Sequence, residues 1–341
     1  MFLAADSVVL ALRALSFVAI FQAVGGALFL DLFGARLSAP LEERVRTLAR
    51  VAAVAALCLA VAHYVLVPAW LAGNLGSTFD SSLSELLRES DAGTANIVRI
   101  VGLAVLFLSL DRRTRLNTIA MRVALALTVL SFALMGHTVI HPLRWLLAPL
   151  LLVHVGIAAF WFGSLWPLRE VAAREPAERG GATIAAYTKL ATRLVPSVLI
   201  CGALIGLVFI RSVAELATAY GALVLGKAAA FGVLMYLAAL NKGRYAPGVA
   251  AGKAGAARSF RRTAAAEWSV LAAVLVATAL MTALFAPAHL EGAFGSHLLE
   301  PHSDAGVPRP GSTPPDVSPS DATRPNAPPP APASQTGERG P

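Results

Sequence analysis

The sequence predicts an all-α, polytopic membrane protein, a bundle of eight transmembrane helices with both termini outside. Hydrophobic residues fill 57% of the 341 positions and charged residues only 14%, and the mean hydropathy is +0.67, too apolar for a soluble domain. The apolar residues gather in eight runs, near 7–30, 48–68, 94–110, 118–138, 143–168, 190–211, 220–240 and 264–287. Each approaches the ~20 residues that carry a helix across a ~30 Å hydrocarbon layer. Alternating ten-residue strand patterns, the mark of a membrane β-barrel, are absent. Finally, Lys plus Arg alternate between the connections: 4 in 31–50, 1 in 68–93, 3 in 111–117, 1 in 139–144, 5 in 169–193, 1 in 211–219 and 6 in 241–263. By the positive-inside rule the odd-numbered connections are cytoplasmic.

The first run lacks a basic residue before Arg13 and exceeds the apolar core of a signal peptide, so it reads as a retained helix. The longest connection, 68–93, holds "SSLSELLRES", suited to a short amphipathic helix at the interface. Cys58 and Cys201 fall inside the second and sixth runs, where they read as small buried core residues rather than a disulfide. Pro149 and Pro196 interrupt the fifth and sixth runs, freeing carbonyls that either kink the helix or open a cavity. Beyond about residue 300 proline dominates and apolar anchors vanish, so the tail reads as disordered. The organisation expected is therefore an N-terminal part over 1–130, a second helical part over 131–288 and a Pro-rich tail over 289–341. The net charge of +8 belongs to the loops and sets topology; it is not a nucleic-acid patch.

Function has to be sought in the polar residues the membrane should exclude. His63 lies five residues before Pro68, His137 at the outer end of the fourth run, His141 in the turn before Pro142, and His154 eleven residues into the fifth. At 1.5 Å per residue His154 is roughly 16 Å deep, near the midplane. All four histidines lie in the outward half. Neutral imidazole suits copper, zinc, iron and nickel, and Met135 beside His137 adds a soft thioether. The depths differ, so these groups would make successive sites rather than one cluster. Hydrogen bonding between helices is the competing explanation for each of them. Trp161, two turns below His154, is a candidate wall of the same path or a packing residue. Arg13, Arg99 and Lys227 lie in the outer third of their helices, and Glu267 near the inner end of the last. Each would cost ~2.5–3.5 kcal/mol at mid-bilayer. Cations beside a metal path repel a free ion, so they need acidic partners such as Asp6, Asp80, Glu85 or Asp91, or a cargo made less positive by its own ligands.

"GH" at 136–137, His154, Trp161, Gly163 and "PL" at 167–168, followed by "YGALVLGK" ending at Lys227, "AALNKGR" from Ala238 and the last run with Glu267, resemble the bacterial copper resistance D family. The resemblance covers about 130–287; residues 1–130 match in topology. It implies eight helices and copper handling at the cytoplasmic membrane, with His137, His154, Trp161, Lys227 and Glu267 carried over by position. Where the family often has a histidine after its first-helix arginine, this chain has Ser16 and Phe17, with His63 as the substitute.

The leading expectation is thus a non-enzymatic copper transporter or copper-delivery protein. Its cargo is a copper ion received by His137, His154, His63 and Met135, with Lys227, Trp161, Glu267 and Arg99 along the path. It sits in a bacterial inner membrane with a periplasmic tail, the lipid bilayer as its medium and a periplasmic copper chaperone as candidate partner. Two alternatives stay open: a membrane assembly partner whose polar groups only join helices, and a b-type haem electron carrier using paired histidines. No phosphate-binding glycine loop or nucleophile–base pair points to enzyme chemistry.

Overall fold

The computed structural model describes residues 2–111, 114–135, 141–210 and 212–284. His137, the side chain of Asp6 and the tail from 289 lie outside the described residues.

The described elements are helical throughout. They run α1 (Phe2–Phe33), α2 (Ala39–Leu71), α3 (Ser81–Glu89), α4 (Asp91–Ser109), α5 (Arg115–Leu130), α6 (Arg144–Arg174), α7 (Ala177–Phe209), α8 (Ala219–Leu240), a π-turn (Asn241–Tyr245), α9 (Ala246–Ala250) and α10 (Ala256–Leu284). Among the described residues seven helical stretches are long and apolar enough to cross a membrane, the sixth joining α8, the π-turn and α9. The fourth apolar run is the exception: it becomes α5, 16 residues long, or about 24 Å. The count of eight is therefore approximate, although α5 does return alongside α4. A Cβ on Gly102 would lie 2.6 Å from Thr128 Oγ1, and Arg99, a turn earlier, reaches Ser131, a turn later. Short connections leave consecutive helices no choice but antiparallel packing.

Caps fix several boundaries. Asp80 accepts from the amides of Ser82 and Leu83 at the start of α3, Ser90 from Gly93 at α4, Thr114 from Asn117 at α5 and Thr218 from Gly221 at α8. In the exposed α3, Arg88 hydrogen-bonds Glu85 and holds its carboxyl below the usual range. The helices continue through Pro149 and Pro196 without a break.

The four basic connections converge at one end of the bundle. Ser38 N donates to a Glu175 oxygen at 2.7 Å, Arg44 pairs with Glu170 at 2.6 Å, Arg50 with Asp111 at 3.0 Å and Arg122 with Asp31 at 3.1 Å. The long helices overshoot the hydrocarbon at this basic end. α2, for example, opens with the polar "APLEERVRTLAR" before its apolar run begins. At the opposite end Arg13 of α1 donates to Thr282 of α10 at 3.1 Å.

α1 is the central strut, packed against α2, α6 and α10. Its closest crossing is with α6. A Cβ on Gly25 would lie 1.9 Å from the Ala159 carbonyl oxygen, and one on Gly163 would lie 2.5 Å from Gly25 Cα. Backbones meet where both side chains are absent, the usual device of membrane helices that have no hydrophobic driving force between them. Gln22 bridges the same crossing, donating to Gly163 O at 3.1 Å and accepting from Trp268 Nε1 at 2.9 Å. One expectation fails: Cys58 is exposed, while Cys201 is buried and both are free. A small soft side chain is as much at home against lipid as in a core.

Candidate functional site

The polar residues of the interior fall into two groups at different levels. The first lies toward the end opposite the basic loops. Arg99, 4% exposed, donates from Nε to Ser131 Oγ at 3.0 Å and from Nη2 to Met135 Sδ at 3.4 Å. Its guanidinium carbon stands 4.5 Å from the centre of the Phe132 ring, a cation–π arrangement. Phe132 in turn meets Phe17 edge-on at 5.4 Å. Lys227 repeats the theme on α8, its Nζ donating to Met281 Sδ at 3.2 Å. Arg13 has Thr282. Among the described residues none of these three cations has a carboxylate. Asp80 is committed to the cap of α3 and Glu85 to Arg88.

His63 stands within the field of both Arg13 and Arg99. Arg13, one of the two, stands 6.0 Å from the centre of the Phe17 ring. Met135 turns its sulfur to Arg99. His141 lies in the turn before α6, as its place beside Pro142 suggests. Its Nδ1 accepts from Leu143 N at 3.1 Å and its ring meets Phe209 edge-on at 5.6 Å.

His154 has the more completely defined surroundings. Its Nδ1 is 2.9 Å from the Val198 carbonyl oxygen on α7, and a carbonyl can only accept, so Nδ1 carries the proton. In the neutral ring that leaves Nε2 as a bare lone pair, the tautomer that metal-binding histidines adopt when a carbonyl orients them. The ring sits in a notch left by Gly202, whose Cβ would be 3.1 Å from His154 Cε1, and it feels the charge of Lys227. The interhelical hydrogen bond considered as the competing explanation is present, and it occupies one nitrogen of the two. Among the described residues no three His, Cys, Asp or Glu side chains gather into a metal-holding group.

The second group lies nearer the basic end, on α6, α8 and α10. Glu267 is 3% exposed. Asn241 Nδ2 donates to its Oε1 at 2.5 Å and Trp161 Nε1 to its Oε2 at 3.3 Å; Thr263 Oγ1 donates to Asn241 Oδ1. Among the described residues no cation pairs with this carboxyl group. Tyr187 Oη is buried beside it in the field of Glu267, with no hydrogen-bond partner among the described residues. The π-turn explains Asn241: one extra residue in the turn at the end of α8 swings the amide inward, as π-bulges at functional sites do.

Residues 4–142 match the family model "Copper resistance protein D-like, N-terminal domain", and residues 181–281 match "Copper resistance protein D". The chain belongs to the copper resistance protein D family. Membership implies copper resistance or handling at a membrane, and it extends to the first half of the chain, where the sequence offered a likeness of topology alone. His63, Arg99, Met135 and His137 fall within the first matched segment and Lys227 and Glu267 within the second. His154 and Trp161 lie between them. No curated protein and no solved structure matches the chain.

Of the residues singled out from sequence, the structure joins Trp161 to Glu267 and Met135 to Arg99, and sets Lys227 near His154. Sequence reasoning missed Asn241, Thr263, Tyr187, Met281 and Gln22. Asn241 alone carried a signal, since it sits within "AALNKGR".

Proposed function

We propose that this member of the copper resistance protein D family moves or delivers copper across a bacterial cytoplasmic membrane. The basic end is cytoplasmic by the positive-inside rule, so the termini and the Pro-rich tail are periplasmic. Copper, the cargo, arrives at the periplasmic end, from a periplasmic chaperone or from solution. His63, His137 and Met135 receive it, and His154 passes it on near mid-depth.

The observation that carries this reading is the pose of His154, with Nδ1–H held by a backbone carbonyl and Nε2 left to bind. The three cations, which have no acid among the described residues, favour copper that enters with anionic ligands of its own, since a bare ion would be repelled. Glu267, about 21 Å further along judged by the 14 residues of α8 between Lys227 and Asn241, is the negative group that draws the ion inward. A carboxylate has about four lone-pair sites. Asn241 and Trp161 use two of them, and Trp161 walls the path.

The test is copper accumulation in cells whose only copy carries His154→Ala, with the protein verified in the membrane. At least a tenfold loss of copper-dependent accumulation is expected; unchanged copper content would remove His154 from the mechanism.

A further inference from the structure

A groove of about 490 Å³ opens on the surface of the basic end, between α7 and the stretch formed by the π-turn and α9. It belongs to neither polar group of the interior. One wall is a single stripe of α7, in which Gly181, Ala185, Thr188, Lys189, Thr192 and Arg193 follow the three- and four-residue spacing of one helix face. The other wall begins at Lys242, the residue after Asn241, and continues along α9. Gly181 lets the walls meet: a Cβ there would lie 2.5 Å from Ala250 Cα. The floor is therefore apolar and the rim carries three cations and two hydroxyl side chains.

Position and charge define the occupant. Lys189 and Arg193 stand where the apolar run of α7 begins, and Lys242 follows directly on the apolar run of α8. All three are exposed at headgroup level. None is engaged by a carboxylate among the described residues, although the same end of the bundle pairs Arg44, Arg50 and Arg122 with acids. A basic pocket between transmembrane helices at this level, apolar within, matches the chemistry of a phosphate headgroup with acyl chains attached. We propose that this groove is a binding site for an anionic phospholipid, whose phosphate lies among Lys189, Arg193 and Lys242 while its chains run along the apolar floor. The site does not depend on the copper reading.

The experiment uses the full chain in phosphatidylcholine nanodiscs doped with spin-labelled phosphatidylglycerol or spin-labelled phosphatidylcholine, and reads the immobilised lipid by electron paramagnetic resonance. Each cation near the surface is worth about a fivefold preference, so the wild type should hold the anionic label over the zwitterionic one by at least about tenfold. Lys189→Gln/Arg193→Gln/Lys242→Gln should bring the two labels to parity. Lys189→Arg/Lys242→Arg should keep the preference, and so should Arg258→Gln/Arg261→Gln/Arg262→Gln, which removes a separate basic cluster. If circular dichroism shows the triple Gln variant unfolded, Lys242→Gln alone is read for a fall of about fivefold. Inorganic phosphate at matched ionic strength should leave the label in place. A wild type without preference, a folded triple variant that retains it, loss of the preference in the Arg258/Arg261/Arg262 variant, or displacement by inorganic phosphate would each overturn the proposal.

Discussion

The two polar levels of the interior are opposites in charge and alike in design. Toward the end away from the basic loops, Arg99, Lys227 and Arg13 have sulfur, hydroxyl and aromatic partners, with no acid among the described residues. Toward the basic end, Glu267 has an amide and an indole and, among the described residues, no cation. If the groups existed only to join helices, the economical arrangement would put a cation beside the acid, since a buried charge without a counter-ion is costly. Keeping them about 21 Å apart leaves each able to act on something that passes. The difference teaches that intramembrane charges must be read with their partners: the same residue types in contact would be a clasp, and apart they are what the proposed copper path requires.

The largest expected effect falls on the acid. Glu267→Ala leaves the Asn241 amide and the Trp161 indole as buried donors without an acceptor, at about 1–3 kcal/mol each. The thermal midpoint of the detergent-purified protein should drop sharply, and Glu267→Gln, which keeps one acceptor, should recover part of the loss. Equal losses in both variants would mean that the charge itself holds the helices together. At the other level, Ser131→Asp would give Arg99 a carboxylate in place of a hydroxyl. A charge-assisted bond there should add about 1.5–3 kcal/mol of stability while lowering copper accumulation, because the cation is then neutralised. A gain in both would break the proposed division of roles. Arg99→Met removes a buried cation along with its Ser131 and Phe132 interactions, two opposing changes that should leave stability within about 1 kcal/mol of wild type in a urea titration of the unfolding transition. A loss of several kcal/mol would show Arg99 to be structural. The smallest effect belongs to Arg50–Asp111, a pair at the surface: Asp111→Asn should shift the midpoint by less than about 1 kcal/mol.

Much of this was legible before any coordinates. Long apolar runs and alternating loop charge placed the helices, because a ~30 Å slab admits few alternatives. Glu267, Lys227 and Arg99 stood out because hydrocarbon offers them no partner. What periodicity could not supply is rotation about each helix axis. Met281 reads as one more apolar residue until α10 turns it to Lys227. Asn241 reads as a loop residue until the π-turn carries it inward, and Gln22 as an isolated amide until Trp268 meets it. The same ignorance of rotation placed Cys58 in the core when it faces outward. The fourth run ran short for a local reason: its apolar stretch ends in turns at Ser131–Met135, where Arg99 takes the hydroxyl and the thioether.

The most direct measurement of the central claim is metal analysis of the purified full-length protein after copper loading and dialysis, comparing wild type with His154→Ala and His154→Gln. The account predicts copper bound to the wild type and lost in both variants, with helicity unchanged. Equal copper in all three proteins would contradict it.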